Sequence, residues 1–232
     1  MLTLRKSGDR GKTTSTWLQS RHSFSFAAYH DPQNMGFGPL RVINEDVIAG
    51  GGGFSPHSHR DMEIVTYVLS GVLQHRDSLG TGSVIHPGEI QKMSAGHGIV
   101  HSEFNVSREN ACHLLQIWIQ PSKAGITPAY EQKTVDPKAI KNHFARIAAP
   151  DPRDNEVTLV QDAEIWAARF EDGVEDVRVL EQGRRAWLQV ASGDLDVCGH
   201  RLTAGDGISI TDEDRILVRA HAPSEALLFD MA

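Results

Sequence analysis

The sequence is poor in cysteine and contains no long apolar run. Its two cysteines, Cys112 and Cys198, are far apart and outside any CxxC pattern, which argues against a disulfide framework or a zinc knuckle. We expect both to be small buried residues. No stretch approaches the roughly 18 apolar residues of a membrane-spanning helix, and no apolar segment follows the charged first ten residues. A membrane partner is therefore not expected, and we expect a cytoplasmic location.

Positive charge is also scarce. The 23 lysines and arginines are outnumbered by 30 aspartates and glutamates, and the formal net charge of −7 disfavours binding to polyanions. Nucleic acid is therefore not expected as a direct ligand. The chain has no GxSxG motif, and its glycine run at 50–53 leads into a strand instead of opening a helix as a phosphate-binding loop would. Hydrolysis by a nucleophilic side chain is disfavoured.

The sequence does contain many short runs of Val, Ile, Leu and Thr between turn residues. Its 21 glycines and 10 prolines separate these runs, which predicts a mostly β fold. The predicted strands are Leu40–Asn44, Glu63–Leu69, Val72–Arg76, Ile90–Met93, Cys112–Ile119, Trp187–Val190, Gly207–Ile210, Arg215–Val218 and Ala226–Phe229. The proline-containing stretch 121–154 is expected to cross between two halves of the chain, with a short helix near Lys138–Phe144.

Two pairs of polar residues with a spacing of two suggest a metal site. They are His57 with His59, and His101 with Glu103. In a strand, residues i and i+2 project from the same face, so each pair offers two ligands to one space. Three imidazoles and one carboxylate suit a divalent transition metal, and four protein ligands on an octahedral ion leave two positions open. The pattern therefore predicts a catalytic metal centre.

The two halves of the chain resemble copies of one β unit. Residues 68–73 and 190–195 share the pattern V-x-S-G-x-L, and each is followed by a second glycine-containing turn. An alignment without gaps places four residues opposite the four ligands, namely Val179, Glu181, Val218 and Ala220. Because none of these could complete a similar site, we expect one metal per chain, in the first half.

The motifs around these residues resemble those of a known family. The arrangements Gly51-x5-His57-x-His59-x3-Glu63 and Gly96-x-Gly98-x2-His101-x3-Asn105 are similar to the two cupin motifs. The segments HSHRDME (57–63) and SAGHGIVHSE (94–103) resemble more narrowly the pirin family of bicupins and its bacterial quercetin 2,3-dioxygenase-like members. The resemblance covers essentially the whole chain. One departure from the general cupin pattern is that seven residues, not six, separate Glu63 from Gly71.

The resemblance implies an all-β bicupin, with two antiparallel jelly-roll β-barrels and few short helices. Its parts would be an N-terminal metal-binding barrel at 1–130, a crossing segment at 131–154 and a degenerate C-terminal barrel at 155–232. Ordinary cupins use the glutamate of the first motif as a ligand, whereas in pirin-like proteins the ligand set corresponds to His57, His59, His101 and Glu103. Glu103 is also the candidate catalytic residue, as a proton acceptor.

By the same resemblance, the expected activity is a metal-dependent dioxygenase that cleaves a flavonol such as quercetin with O2 and releases CO. The expected cofactor is one Fe(II) per chain, with Zn, Mn, Ni, Co or Cu as alternatives. Two other functions are open: a redox-sensing regulatory protein that binds a protein partner, and a zinc cupin isomerase. The expected oligomeric state is a monomer or a weak dimer.

Other polar residues near the motifs have weaker cases. Glu63 is expected either to orient a ligand imidazole or to face solvent. His97 lies between two glycines and is expected to be a loop residue without chemistry. His75 and His86 are expected to be exposed. His22 lies among aromatic residues and is expected at a pocket edge or in packing.

Overall fold

The computed structural model describes all 232 residues, and its regular secondary structure consists of β-strands and one short 3-10 helix at Ser7–Asp9. The strands up to residue 134 are β1 (Leu2–Arg5), β2 (Gly11–Thr14), β3 (Leu18–His22), β4 (Leu40–Ile48), β5 (Gly53–His59), β6 (Glu63–Ser70), β7 (Leu73–Asp77), β8 (Gly82–Ile85), β9 (Glu89–Ser94), β10 (Ile99–Asn105), β11 (Cys112–Ile119) and β12 (Ala129–Thr134). The later strands are β13 (Ala145–Ala149), β14 (Val157–Thr158), β15 (Ala163–Phe170), β16 (Glu175–Val179), β17 (Arg185–Ser192), β18 (Asp194–Val197), β19 (His200–Thr203), β20 (Gly207–Ile210), β21 (Arg215–Ala220) and β22 (Ser224–Met231). The all-β prediction is confirmed, and each of the nine predicted strands overlaps an observed one. No helix has the length and apolar character that crossing a bilayer requires.

The first compact unit comprises residues 11–134 and 157–161. It contains a large sheet in the order β12-β9-β6-β11-β4-β3-β2 and a smaller sheet in the order β5-β10-β7-β8. Strand β6 lies within the large sheet and is buried along six consecutive residues from its start. Strand β10 alternates between buried and more exposed residues, so that one of its faces lies inside the unit. The interior between these two sheets holds the residues of interest.

The second compact unit comprises residues 1–10, 135–156 and 162–232. Its sheets repeat the same strand order, with β1-β20-β17-β22-β15-β13 in one and β16-β21-β18-β19 in the other. The predicted boundaries at 1–130, 131–154 and 155–232 divide the chain consecutively, whereas the structure places the first ten residues with the later half. Its interior is an apolar cluster that includes Leu180, Ile216 and Val218.

The register of the second unit corrects the gap-free alignment of the two halves. Leu73 pairs with Asn105 in the first unit, and its equivalent Leu195 pairs with Ala220 in the second. Glu103 therefore corresponds to Val218, and His101 corresponds to Ile216. Ile216 pairs with Arg178, so Arg178 takes the position that His57 has opposite His101. Val179 and Glu181 are exposed, on the wrong face to match the histidines. The turns of the two halves differ in length, and a slip of one residue reverses the face of a strand.

Two smaller predictions are wrong. The segment Lys138–Phe144 forms a turn instead of a helix, and Asn142 within it has a left-handed backbone with φ of 65°. That conformation is incompatible with continuing a right-handed helix. Cys112 is buried as expected, but Cys198 is only half-buried.

Candidate metal centre

Three histidines converge inside the first unit because two neighbouring strands carry them on their inner faces. His57 and His59 lie on β5, and His101 lies on β10 directly opposite His57 in the antiparallel register. The ring centroids are separated by 4.8 Å for His57 and His59, 4.5 Å for His57 and His101, and 4.9 Å for His59 and His101. Their candidate ligand nitrogens all lie within 4.8 Å of one another. The structure thus brings together the three histidines that the sequence pattern selected.

The histidine nitrogens have the chemistry that a metal requires. Nδ1 of His57 donates a hydrogen bond to the carbonyl oxygen of Ser55 at 2.8 Å, which leaves Nε2 with its lone pair. Burial lowers the pKa of His59 to about 4 and, together with the neighbouring histidines, that of His101 to about 2. Both rings are therefore neutral at physiological pH and can donate electron pairs.

His101 is the clearest indication of an occupant. Its side chain is only 2% exposed, and neither of its ring nitrogens has a hydrogen-bond partner. Buried polar groups are almost always paired, so an imidazole with two unpaired nitrogens is unusual. A bound divalent ion would satisfy one of them. The donor set therefore fits a single transition metal.

Glu103 faces the same interior but lies on the far side of His101. A bulge in the pairing between β5 and β10 sets it opposite Phe54, and its candidate ligand oxygen groups with His101 and His75 within 4.8 Å. Gln116 Nε2 donates to one carboxylate oxygen at 2.7 Å, and the Thr66 hydroxyl donates to the other at 3.4 Å. Burial, followed by the charge of Asp46, raises the pKa of Glu103 to about 7.

A cavity of about 120 Å³ adjoins the three histidines and Glu103. Part of its lining is apolar, from Leu18, Phe26, Ala27, Phe54 and Trp118, and the remainder is polar, from Thr13, Ser20, His22, Asn44, Asp46 and Gln116. His22 is held by two hydrogen bonds of 2.8 Å, with the Thr13 hydroxyl and with Asn44 Oδ1. Asp46 is 2% exposed, and its Oδ1 has no partner. Burial raises the pKa of Asp46 to about 6.

The other histidines and Glu63 depart in part from expectation. The prediction that His75 is exposed is wrong, because it is fully buried beside His101. On β7, His75 is two residues after the buried Leu73 and therefore faces the same side of the strand. The apolar residue at position 73 is thus a sequence signal that could have predicted the burial of His75. Glu63 is also fully buried, but it binds Ser94 and the backbone N–H of Val160 and does not line the cavity.

The three other histidines for which the sequence gives an expectation lie where it predicts. His97 and His86 are exposed, and His22 lies at the cavity wall, as one of its two alternatives predicts. Nothing in the sequence indicates that Asp46 is buried at the cavity, because a carboxylate on a strand of alternating polar and apolar residues usually faces solvent.

Comparison with known proteins covers the whole chain. A family model described as Pirin matches residues 4–119, and one described as Quercetinase C-terminal cupin domain matches residues 146–231. A quercetin 2,3-dioxygenase of Escherichia coli strain K12 is 45% identical over 231 residues, which cover 100% of this chain and 99% of that protein. A putative quercetin 2,3-dioxygenase of Pseudomonas aeruginosa is 44% identical over 96% of each chain. The crystal structure of the bacterial pirin YhhW of E. coli in complex with nickel(II) has a TM-score of 0.95 and 44% identity, covering 100% of this chain and 99% of that one.

Proposed function

The chain belongs to the pirin family, and on this premise we propose that it is a metal-dependent dioxygenase that cleaves a flavonol such as quercetin with O2 and releases CO. The observation that carries the proposal is the convergence of three histidines on one space, with both nitrogens of His101 unpaired. Two relatives that span the chain are named quercetin 2,3-dioxygenase and putative quercetin 2,3-dioxygenase.

The proposed metal ligands are His57, His59, His101 and Glu103. In the structure a carboxylate oxygen of Glu103 lies within 4.8 Å of ring nitrogens of His101 and His75, and Glu103 is not grouped with His57 and His59. It would complete the ligand set by turning its carboxylate toward His57 and His59. Fe(II) is the proposed ion, and Ni(II), which a relative binds in its crystal structure, is an alternative along with Zn, Mn, Co and Cu. When bound, such an ion supplies positive charge that lowers the pKa of a coordinated enol, as it does for water.

The side chains around the metal position suit a hydroxylated aromatic substrate. Glu103, the one carboxylate of the ligand set, lies where it could accept the proton of the substrate hydroxyl. Asp46 offers an unpaired oxygen in the same cavity, which would accept a hydrogen bond from a second hydroxyl. Trp118 and Phe54 supply apolar walls that contact ring faces and exclude water.

The size of the cavity limits how much of a flavonol it can enclose. A cavity of about 150 Å³ in another protein holds one benzene ring, so about 120 Å³ accommodates a single ring. We propose that the ring bearing the ionisable hydroxyl enters and that the rest of the flavonol lies toward the cavity mouth.

The test is metal analysis of the purified protein, followed by oxygen uptake and CO detection with a panel of flavonols. His57→Ala and Glu103→Gln should abolish turnover, and His86→Ala, which removes an exposed histidine outside the cavity, should leave it intact. Full turnover by His57→Ala or Glu103→Gln would refute the proposal. Turnover that proceeds without oxygen would favour the zinc isomerase. Binding of a protein partner that depends on metal oxidation state, with no flavonol turnover, would favour the regulatory function.

A further inference from the structure

The buried residue His75 is not among the proposed ligands, yet it lies next to one of them. It is fully buried on β7, where it pairs with Glu103 of β10, and Asp77 two residues later pairs with His101. The ring centroids of His75 and His101 are 5.3 Å apart, and Tyr130 covers His75 with a centroid distance of 4.9 Å. The position of His75 is thus determined by a strand that carries no proposed ligand.

Asp77 determines the tautomer of His75. Its Oδ2 lies 3.0 Å from His75 Nε2, and because an ionised carboxylate can only accept, Nε2 is the nitrogen that carries the proton. Asp77 is itself fixed, since its Oδ1 accepts hydrogen bonds from the backbone N–H groups of Leu79 and Thr81 at 2.9 and 3.1 Å. In neutral His75, Nδ1 therefore bears a lone pair, and this nitrogen is buried without a partner.

His101 needs an acceptor of this kind. Once one of its nitrogens binds a metal, the other carries a proton that must be satisfied in a buried setting. The ring nitrogens of His101 and His75 belong to one group whose ligand atoms lie within 4.8 Å of one another. The third member of that group, Glu103, already accepts from Gln116 and Thr66. His75 Nδ1 is the remaining acceptor without a partner.

We propose that His75 is a positioning residue: its Nδ1 accepts a hydrogen bond from the ring N–H of His101, and Asp77 holds it in the tautomer that can do so. The resulting chain from Asp77 through His75 to His101 would orient the imidazole of His101 and increase its basicity toward the metal. This inference rests on the metal site of the proposed function and does not depend on which substrate is used.

The test is the affinity of the full-length protein for Ni(II), measured by competition with a chelator after the protein has been stripped of metal. His75→Phe keeps a buried ring without an acceptor and should weaken binding about 10- to 100-fold. His75→Asn places an amide oxygen near the position of Nδ1 and should recover part of that loss. Asp77→Asn can donate to Nε2 and so favours the wrong tautomer, and it should also weaken binding. His86→Phe, an exposed histidine outside the cavity, is the matched control.

The order of the two His75 variants separates positioning from packing. A packing role predicts that Phe, with its larger apolar ring, is tolerated better than Asn, whereas the hydrogen bond predicts the reverse order. Urea unfolding of the metal-free variants checks that each is folded, and the d–d absorption bands of the Ni(II) forms report the geometry of the ion. Wild-type affinity in His75→Phe, or Asn no better than Phe, would overturn the inference. So would a loss above about 1000-fold with altered d–d bands in both variants, since His75 would then be a direct ligand. If the wild-type protein itself binds no Ni(II), the metal site of the proposed function has failed as well.

Discussion

Replacement of Asp46 by Asn should stabilise the metal-free protein at neutral pH. Asp46 is 2% exposed, and burial raises its pKa from 3.8 to about 6, with a smaller rise from the charge of Glu45 and a reduction from a hydrogen bond with Ser20. A difference of one pKa unit corresponds to about 1.4 kcal/mol, so ionising this carboxyl in the folded state costs about 3 kcal/mol. Asn has nearly the same shape and carries no charge, so the substitution removes this cost.

The sign and the pH range of the effect follow from proton linkage. Between pH 4 and pH 6 the folded state holds a proton on Asp46 that the unfolded state has lost, so the stability contributed by this group falls as pH rises. The advantage of Asp46→Asn should therefore be near zero at pH 4 and should reach about 3 kcal/mol above pH 7.

The assay is urea unfolding of both proteins in the presence of a chelator, at pH 4, 5.5 and 7. Asp9→Asn, which neutralises an exposed aspartate, is the matched control and should show no such trend. An Asp46→Asn protein that is less stable than wild type at pH 7, or a difference that does not change with pH, would refute the reasoning. In that case the hydrogen bonds of Asp46 would matter more for stability than its burial.

Three further substitutions test other parts of the molecule. Lys92→Met leaves the fully buried Glu63 without its cation and should cost about 3–5 kcal/mol of unfolding free energy; a loss no larger than that of the exposed Lys12→Met would contradict this. Gly53→Ala places a Cβ 2.3 Å from a backbone oxygen of β10, which should displace the strand carrying two of the histidines and weaken Ni(II) binding in a chelator titration; an unchanged affinity would argue against it. Burial alone would raise the pKa of Asp206, but two backbone N–H groups and a lysine lower it overall. Asp206→Asn should therefore destabilise the protein above pH 5, with the difference disappearing as pH falls through the folded pKa, and urea midpoints that differ equally at pH 3 and pH 7 would count against this.

The parts of the site that the sequence predicts are those that depend on local geometry. His57 and His59 share a face because strand side chains alternate, and the same holds for His101 and Glu103. The strands themselves follow from short β-branched runs between glycine and proline turns. Each of these inferences needs only neighbouring residues, and the structure contains all nine predicted strands.

The parts that the sequence did not predict depend on pairing between distant strands. The burial of His75 beside His101 arises because β7 pairs with β10, and the bulge that sets Glu103 opposite Phe54 arises in the pairing of β10 with β5. The gap-free alignment of the two halves failed for the same reason. The alternation of residues along a strand does not show how long the turns between strands are, and turn length sets the register. The polar cavity wall around Asp46 likewise combines β3 and β4 with β11.

The placement of β1 has a consequence for the order in which the protein can be completed during synthesis. Leu2 and Leu4 pair with Ile210 and Ile208 of β20, more than 200 residues later, while residues 11–134 belong to the other unit. On the ribosome, the unit that holds the metal could form while the first strand still has no partner, because β20 has not yet been translated. Strand β1 therefore emerges before residues 11–134 but is incorporated after them, and contacts of such long sequence separation form slowly. A bulky protein fused ahead of Leu2 should slow the folding of the second unit and leave the folding of the first unit unchanged.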